Sequence, residues 1–215
     1  ITAQGLGLMV DGDTTLQHTN NDVDDVSAFN GGITLFTDTY GLTVSSVSVD
    51  GMTVSGITTS NDNTKLSVGA DLAINEAIAL GTGSLFLDVR GNVTQTEAIT
   101  AQGLGLMVDG DTTLQHAYND VDDLAAFIAG ETLFTDRDGL IVSSVTVDGM
   151  TVSGITTSDA NSKLIVGADL AINAAIDVGT GILFLDVNGN VTQSAAITAY
   201  GLGLMVDGTT TLQDP

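Results

Sequence analysis

No cysteine occurs among the 215 residues, so neither a disulfide framework nor a thiolate metal site is open to this chain. Tryptophan is absent too, and aromatic residues make up only 4%. That leaves no indole anchor for a β-sandwich core and little surface on which sugar rings stack. Proline appears once, at Pro215, so no proline-marked linker divides the chain. Basic residues number 4 against 27 acidic ones, giving a formal charge of −23. A surface this negative repels phosphate backbones and anionic bilayers, which argues against nucleic acid and membrane surfaces as partners. No apolar run approaches the length of a membrane-spanning helix. The sequence opens at Ile1 without an initiator methionine, and no secretion signal is visible in it. The chain reads as a mature product or a stretch of a longer one, and the missing signal does not bear on export.

What is present is apolar and periodic. Hydrophobic residues reach 43%, too many for a disordered acidic tail, so the charge coats something that folds. The stretch "ITAQGLGLMVDGDTTLQH" runs from Ile1 to His18 and returns unchanged from Ile99 to His116; a close variant opens at Ile197. The period is 98 residues, which divides the chain into units 1–98 and 99–196 and the start of a third, 197–215. Within a unit apolar residues alternate: Leu6, Leu8 and Val10; Leu42 and Val44; Val47 and Val49; Met52 and Val54; Leu66 and Val68; Leu85, Leu87 and Val89. Period-two alternation in Val-, Ile- and Thr-rich runs is the pattern of half-buried strands. Asp11-Gly12, Asp50-Gly51, Gly81-Thr82-Gly83 and Arg90-Gly91-Asn92 break the runs and supply turn conformations. One segment differs. "NNDVDDVSAFN", Asn20 to Asn30, spaces its apolar residues helically, which predicts a short helix or bulged loop.

Two architectures suit such a unit: a string of sandwich domains, or a solenoid of several coils. The turn signals cut the unit into about four coils of two or three short strands. No linker separates Ala98 from Ile99. The expectation is therefore all-β: one continuous parallel β-helix with about four coils per repeat. Asn75 with Asn173, or Asn92 with Asn190, are candidates for amide ladders at the corners, given amide partners in adjacent coils.

The phrases "GLTVSSVSVDGMTVSGITTS", "KLSVGADLAINEAI", "GTGSLFLDVRGNVTQTEAITAQGLGL" and "NDVDDLAAF" resemble the tandem repeats of filamentous-haemagglutinin-type adhesins. Those are large bacterial surface proteins of the two-partner secretion class. The resemblance covers nearly the whole chain and carries no catalytic signature. It implies a right-handed parallel β-helix, extracellular or on the bacterial cell surface, forming a shaft that meets a host or matrix surface. No stretch here matches the family's secretion-signal domain.

Candidate sites are few. Asp22, Asp24 and Asp25, repeated as Asp120, Asp122 and Asp123, offer hard oxygen ligands for calcium. Their spacing matches neither an EF-hand loop nor a calcium β-roll, so a solvated acidic loop is the simpler reading. Asp11 with Asp13, and Asp109 with Asp111, read as turns. His18 and His116 stand one per unit with no second His or any Cys to complete a metal site. Carboxylate pairs are numerous by composition alone and do not single out a glycosidase. Parallel β-helices include polysaccharide lyases, which lean on basic residues; Arg90 is Asn188 in the other unit, and Arg137 is Thr39. Phe36 and Phe86 lie in strand runs, and the Thr pairs fall too irregularly for a flat ice-binding array.

The sequence thus points to a non-enzymatic structural and adhesive shaft with no cofactor. Its partners are neighbouring repeats or, alternatively, copies of itself stacked end to end as a filament. A β-helical polysaccharide-degrading enzyme is the alternative from another class. The chain is expected to be part of a longer shaft, because it opens in phase with a repeat.

Overall fold

A computed structural model describes residues 1–213. Alternating apolar residues make strands, and the turn residues between them bend each strand back over the one before. The result is a parallel β-solenoid of about ten turns, with no helix among the described residues. At about 4.8 Å per coil this stack rises roughly 48 Å. Twenty-five strands belong to one sheet, and the remaining four form two antiparallel hairpins outside it.

Inward side chains stack coil on coil. Thr14 lies beside Thr34, Thr34 beside Thr64, Thr64 beside Leu85, Leu85 beside Leu104, and Leu104 beside Leu124. The steps are therefore 20, 30, 21, 19 and 20 residues. Four coils from Thr14 end at Leu104, eight residues short of Thr112, the equivalent of Thr14. Thr112 belongs instead to the column of Leu42, Leu72 and Val93. The unit runs to four coils and part of a fifth, where turn signals gave about four. Equivalent residues of the two units face different sides.

The interior is a continuous apolar column in which Leu85, Leu87, Leu104, Leu106, Leu183 and Leu185 are fully buried. Each such side chain contributes about 1.5–3 kcal/mol relative to leaving it in water. At Thr14, Thr34 and Thr64 the column that continues into Leu85 and Leu104 carries hydroxyls instead. Asn30 Nδ2 donates to Thr14 Oγ1 at 3.1 Å and to Thr34 Oγ1 at 2.7 Å. In the second unit Ile128 replaces that asparagine, and the buried hydroxyls of Thr112, Thr132 and Ser162 have no partner.

The corners differ from the amide ladders expected of Asn75, Asn92, Asn173 and Asn190. A side-chain oxygen in one coil instead accepts a backbone N–H from the next. Asp71 Oδ1 accepts from Asn92 N at 2.7 Å, Asn92 Oδ1 from Asp111 N at 2.8 Å, and Asp111 Oδ1 from Glu131 N at 2.9 Å. Asn190 takes the same place between Asp169 and Thr209. Asn75 and Asn173 accept hydroxyls from Thr96 and Ser194. Such bonds satisfy backbone donors that the turn would otherwise leave unpaired.

The segment predicted as a helix or bulged loop is a strand, Asp22–Asn30, parallel to Thr2–Val10. Its apolar spacing misled because Val26, Ser27 and Ala28 are buried in succession. The outer face of this strand is covered by a hairpin, so alternation between wet and dry faces breaks down. Two further runs, Val47 with Val49 and Met52 with Val54, are not coil strands but the two arms of that hairpin.

Candidate functional site

The six carboxylates proposed for calcium lie on strands, not on a loop. Asp22, Asp24 and Asp25 belong to Asp22–Asn30, and Asp120, Asp122 and Asp123 to Asp120–Ile128. Asp24 and Asp122 are exposed, and the other four are half-buried. Asp120 pairs with Arg137 at 2.8 Å, and Asp123 accepts a hydrogen bond from Ser143 Oγ at 2.7 Å. Among the described residues no group of three His, Cys, Asp or Glu comes together to hold a metal ion. His18 Nδ1 accepts from Asn20 N, and His116 Nδ1 from Tyr118 N, so both rings serve their own turns. Asp13 and Asp111 sit at corners, each accepting an N–H from the following coil.

Sequence reasoning missed a second pair of acids. Asp38 and Asp136 are buried. Asp38 accepts from Val23 N at 2.8 Å and from Tyr40 N at 2.9 Å. Asp136 does the same with Val121 N at 2.9 Å and Asp138 N at 3.0 Å. Burial pushes both carboxyls up from their ordinary range, and Asp136 reaches about 6 against the lowering effect of its two backbone donors. Asp38 opens onto a shallow groove shared with Asp88 and Arg90. Both of its oxygens are engaged by backbone, in the same way in both units. This is how a carboxylate clasps a turn; an acid–base catalyst needs an oxygen free for substrate. The recurring "TLFTD" ending was the available signal.

The feature that most distinguishes the surface is the pair of hairpins, Ser46–Val49 with Met52–Ser55 and Ser144–Val147 with Met150–Ser153. Asp50-Gly51 and Asp148-Gly149 turn them with positive φ, 51° and 81° in the first and 51° and 73° in the second. Those dihedrals are what a two-residue connection between twisted strands requires. Each hairpin leaves the coil and folds back over coils made earlier in the chain. The second lies on Phe86 and Ala125, which cluster with Val145, Val147 and Val152 and are flanked by Met107 and Met150. Glycine makes the floor flat enough: a Cβ at Gly105 would lie 2.7 Å from the Phe86 ring and 3.3 Å from Val145. At its tip Asp148 accepts from Gln17 Nε2 at 3.0 Å and meets Lys65 Nζ at 3.3 Å. Those hydrogen bonds, the Gln17 one first, hold the Asp148 carboxyl below its ordinary range.

The first hairpin has the same sequence plan and half the floor. Val47 packs over Gly5 and Gly7, but Val49 and Met52 overhang the first coil. Val49 is 68% exposed, whereas its equivalent Val147 is 2% exposed. This arrangement offers apolar docking and one charged latch. It brings together no catalytic groups.

Comparison with protein-family models, with curated proteins and with solved structures finds no match.

Proposed function

We propose that this chain is a rigid structural shaft: a right-handed parallel β-helix, non-enzymatic, secreted or displayed on a bacterial cell surface. The carrying observation is the unbroken register from Thr14 through Thr34, Thr64, Leu85 and Leu104 to Leu124, which crosses the boundary between units without interruption. A stack whose neighbours hydrogen-bond at every coil is stiff along its axis, and added units lengthen it without changing its cross-section. The likeness to filamentous-haemagglutinin-type repeats supports the adhesive and extracellular parts of the reading, as does the acidic coat. A charge of −23 keeps neighbouring shafts apart and soluble.

The reading is tested by incubating the purified chain with acidic polysaccharides, and by labelling intact producing cells with antibody against it. Surface labelling without cleavage is the expected result. Release of oligosaccharides would overturn it in favour of a β-helical polysaccharide-degrading enzyme, with the groove of Asp38, Asp88 and Arg90 as its first suspect.

A further inference from the structure

The two-residue turn Asp148-Gly149 makes Val147 and Met150 the hydrogen-bonded pair that closes the second hairpin, and Val145 with Val152 is the next such pair. Thr151 and Ser153 therefore point their backbone N–H and C=O groups away from the partner strand. Among the described residues no partner takes those groups up, and the hairpin is a two-stranded sheet of its own. The Thr151 and Ser153 hydroxyls bond across the hairpin, to Thr146 and Ser144 at 2.7 Å each, and leave the backbone edge open.

This edge runs along the shaft. Val145 packs over Gly103 and Gly105, while the tip reaches Lys65 two coils earlier. Beside it stands an outward column of the coil sheet, Asp88, Met107, Phe127, Thr156 and Asp177, one residue from each successive coil. Edge and column enclose a groove of about 300 Å³ that contains Met107, Phe127 and Thr156 on one side and Thr151, Val152 and Ser153 on the other. Phe127 is 53% exposed there.

We propose that the groove takes up an extended polypeptide segment, basic at both ends and apolar between, as a third strand on the open edge of the second hairpin. The backbone supplies the first reason. A free strand edge without lysine, proline or bulge to blunt it is a template for another strand, and the unpaired groups of Thr151 and Ser153 set its register. The column supplies the second. Met107 and Phe127 offer apolar contact to the side chains that alternate inward, and the carboxylates of Asp88 and Asp177 stand at the two ends. Neither carboxylate has an ion-pair partner among the described residues. Their separation of four coil steps is about 19 Å, the reach of roughly six extended residues. In a chain of charge −23 a basic segment is also the one drawn in at long range.

The first hairpin presents the same edge at Thr53 and Ser55 beside Met9 and Phe29. In its column Ala79 stands where the second unit has Asp177. The second groove is therefore the tighter of the two. The inference goes beyond the shaft reading and fails separately from it: polysaccharide cleavage would remove the shaft and leave the groove as it is.

The experiment is fluorescence anisotropy of a labelled, end-capped peptide, Lys-Thr-Val-Thr-Val-Thr-Lys, titrated with the whole chain at about 0.15 M ionic strength. Alternation puts both lysines and both valines on one face. Saturable binding is expected, with glutamate in place of both lysines weakening it about tenfold or more. Methylating the backbone nitrogens of one alternate set of residues should abolish binding, and methylating the other set should spare it. Thr151→Pro blocks the open edge without removing a bond of the hairpin, so it should weaken binding about tenfold, and Thr53→Pro should change it little. Asp177→Ala, which installs the residue of the first unit, should weaken binding several-fold with the fold intact. No saturable binding of the lysine peptide overturns the proposal. So does binding that the glutamate peptide equals, that both methylated peptides keep, or that Thr151→Pro leaves intact. Self-association of the chain that Thr151→Pro abolishes would overturn it in favour of a second copy as the occupant.

Discussion

Lys65 and Asp148 stand 83 residues apart in sequence, yet their charged atoms meet at 3.3 Å. In a solenoid, where each coil touches mainly its neighbours, a contact of that span exists only because the hairpin folds back over several coils. The first hairpin makes no such latch. Amide hydrogen exchange over 46–55 should accordingly be faster than over 144–153, and Asp148→Ala should raise the second towards the first. The latch is complete at neutral pH and is lost as acid protonates Asp148, whose folded-state carboxyl titrates below its unfolded value. Equal exchange in the two wild-type hairpins would show that the latch holds nothing.

Gly105 and Gly7 occupy equivalent floors under the two hairpins. A methyl group at Gly105 meets Phe86 at 2.7 Å, while one at Gly7 finds nothing closer than Val47 at 3.4 Å. Gly105→Ala should cost about 1–3 kcal/mol through overpacking, and Gly7→Ala should be close to neutral. Chemical denaturation of the two variants decides this, since the local sequence is the same in both.

Thr132 buries a hydroxyl that has no partner. Valine has nearly the same shape and no polar atom to desolvate. Thr132→Val should stabilise the chain by about 1 kcal/mol. Thr34→Val should destabilise it, because the Thr34 hydroxyl accepts from Asn30 at 2.7 Å. Thermal unfolding of the pair reads the difference in sign.

Asp136 gives a pH dependence opposite to that of a salt-bridged carboxylate. Burial raises its folded pKa to about 6 from 3.8, with Asp120 and Asp138 adding repulsion. The ionised form is therefore disfavoured by folding. The destabilisation is present in full above pH 6 and fades as pH falls towards 4. The melting temperature should rise on going from pH 8 to pH 5, and Asp136→Asn should flatten that rise. General charge repulsion acts in the same direction, so the difference between the two profiles is the quantity that matters.

Calcium chelation should leave the melting temperature unchanged, because Asp120 and Asp123 already have Arg137 and Ser143 as partners. A fall on adding chelator would reinstate the acidic strands as a cation site.

The coils were legible in the sequence because alternation and turn chemistry are local. Leu6, Leu8, Leu85 and Leu87 declared an inward face, and the Gly- and Asp-rich turns placed the corners. Two things were not legible. The hairpins share the alternation of coil strands, so Val47 and Val49 gave no sign that they leave the sheet. The Asp50-Gly51 turn was the only cue. The buried Asp38 and Asp136 were marked only by their place in "TLFTD", two residues after a buried Phe, and nothing local shows that one oxygen of each accepts a backbone N–H from fifteen residues away. The causes differ: burial of an outer face depends on what folds back over it, which no local periodicity encodes, whereas the two acids stand on the inward phase of their strands, where alternation leads one to expect an apolar residue.

The fold-back also changes how the molecule meets tension. A plain stack pulled from its ends unravels one coil at a time, each release independent of the last. Here the second hairpin is pinned to Phe86, Lys65 and Gln17, all from coils laid down before it. Unwinding from the far end must stop there until the pin shears off sideways. The second hairpin thereby gives the stack an arrest point between its two units, one that the first hairpin, without a latch, does not supply.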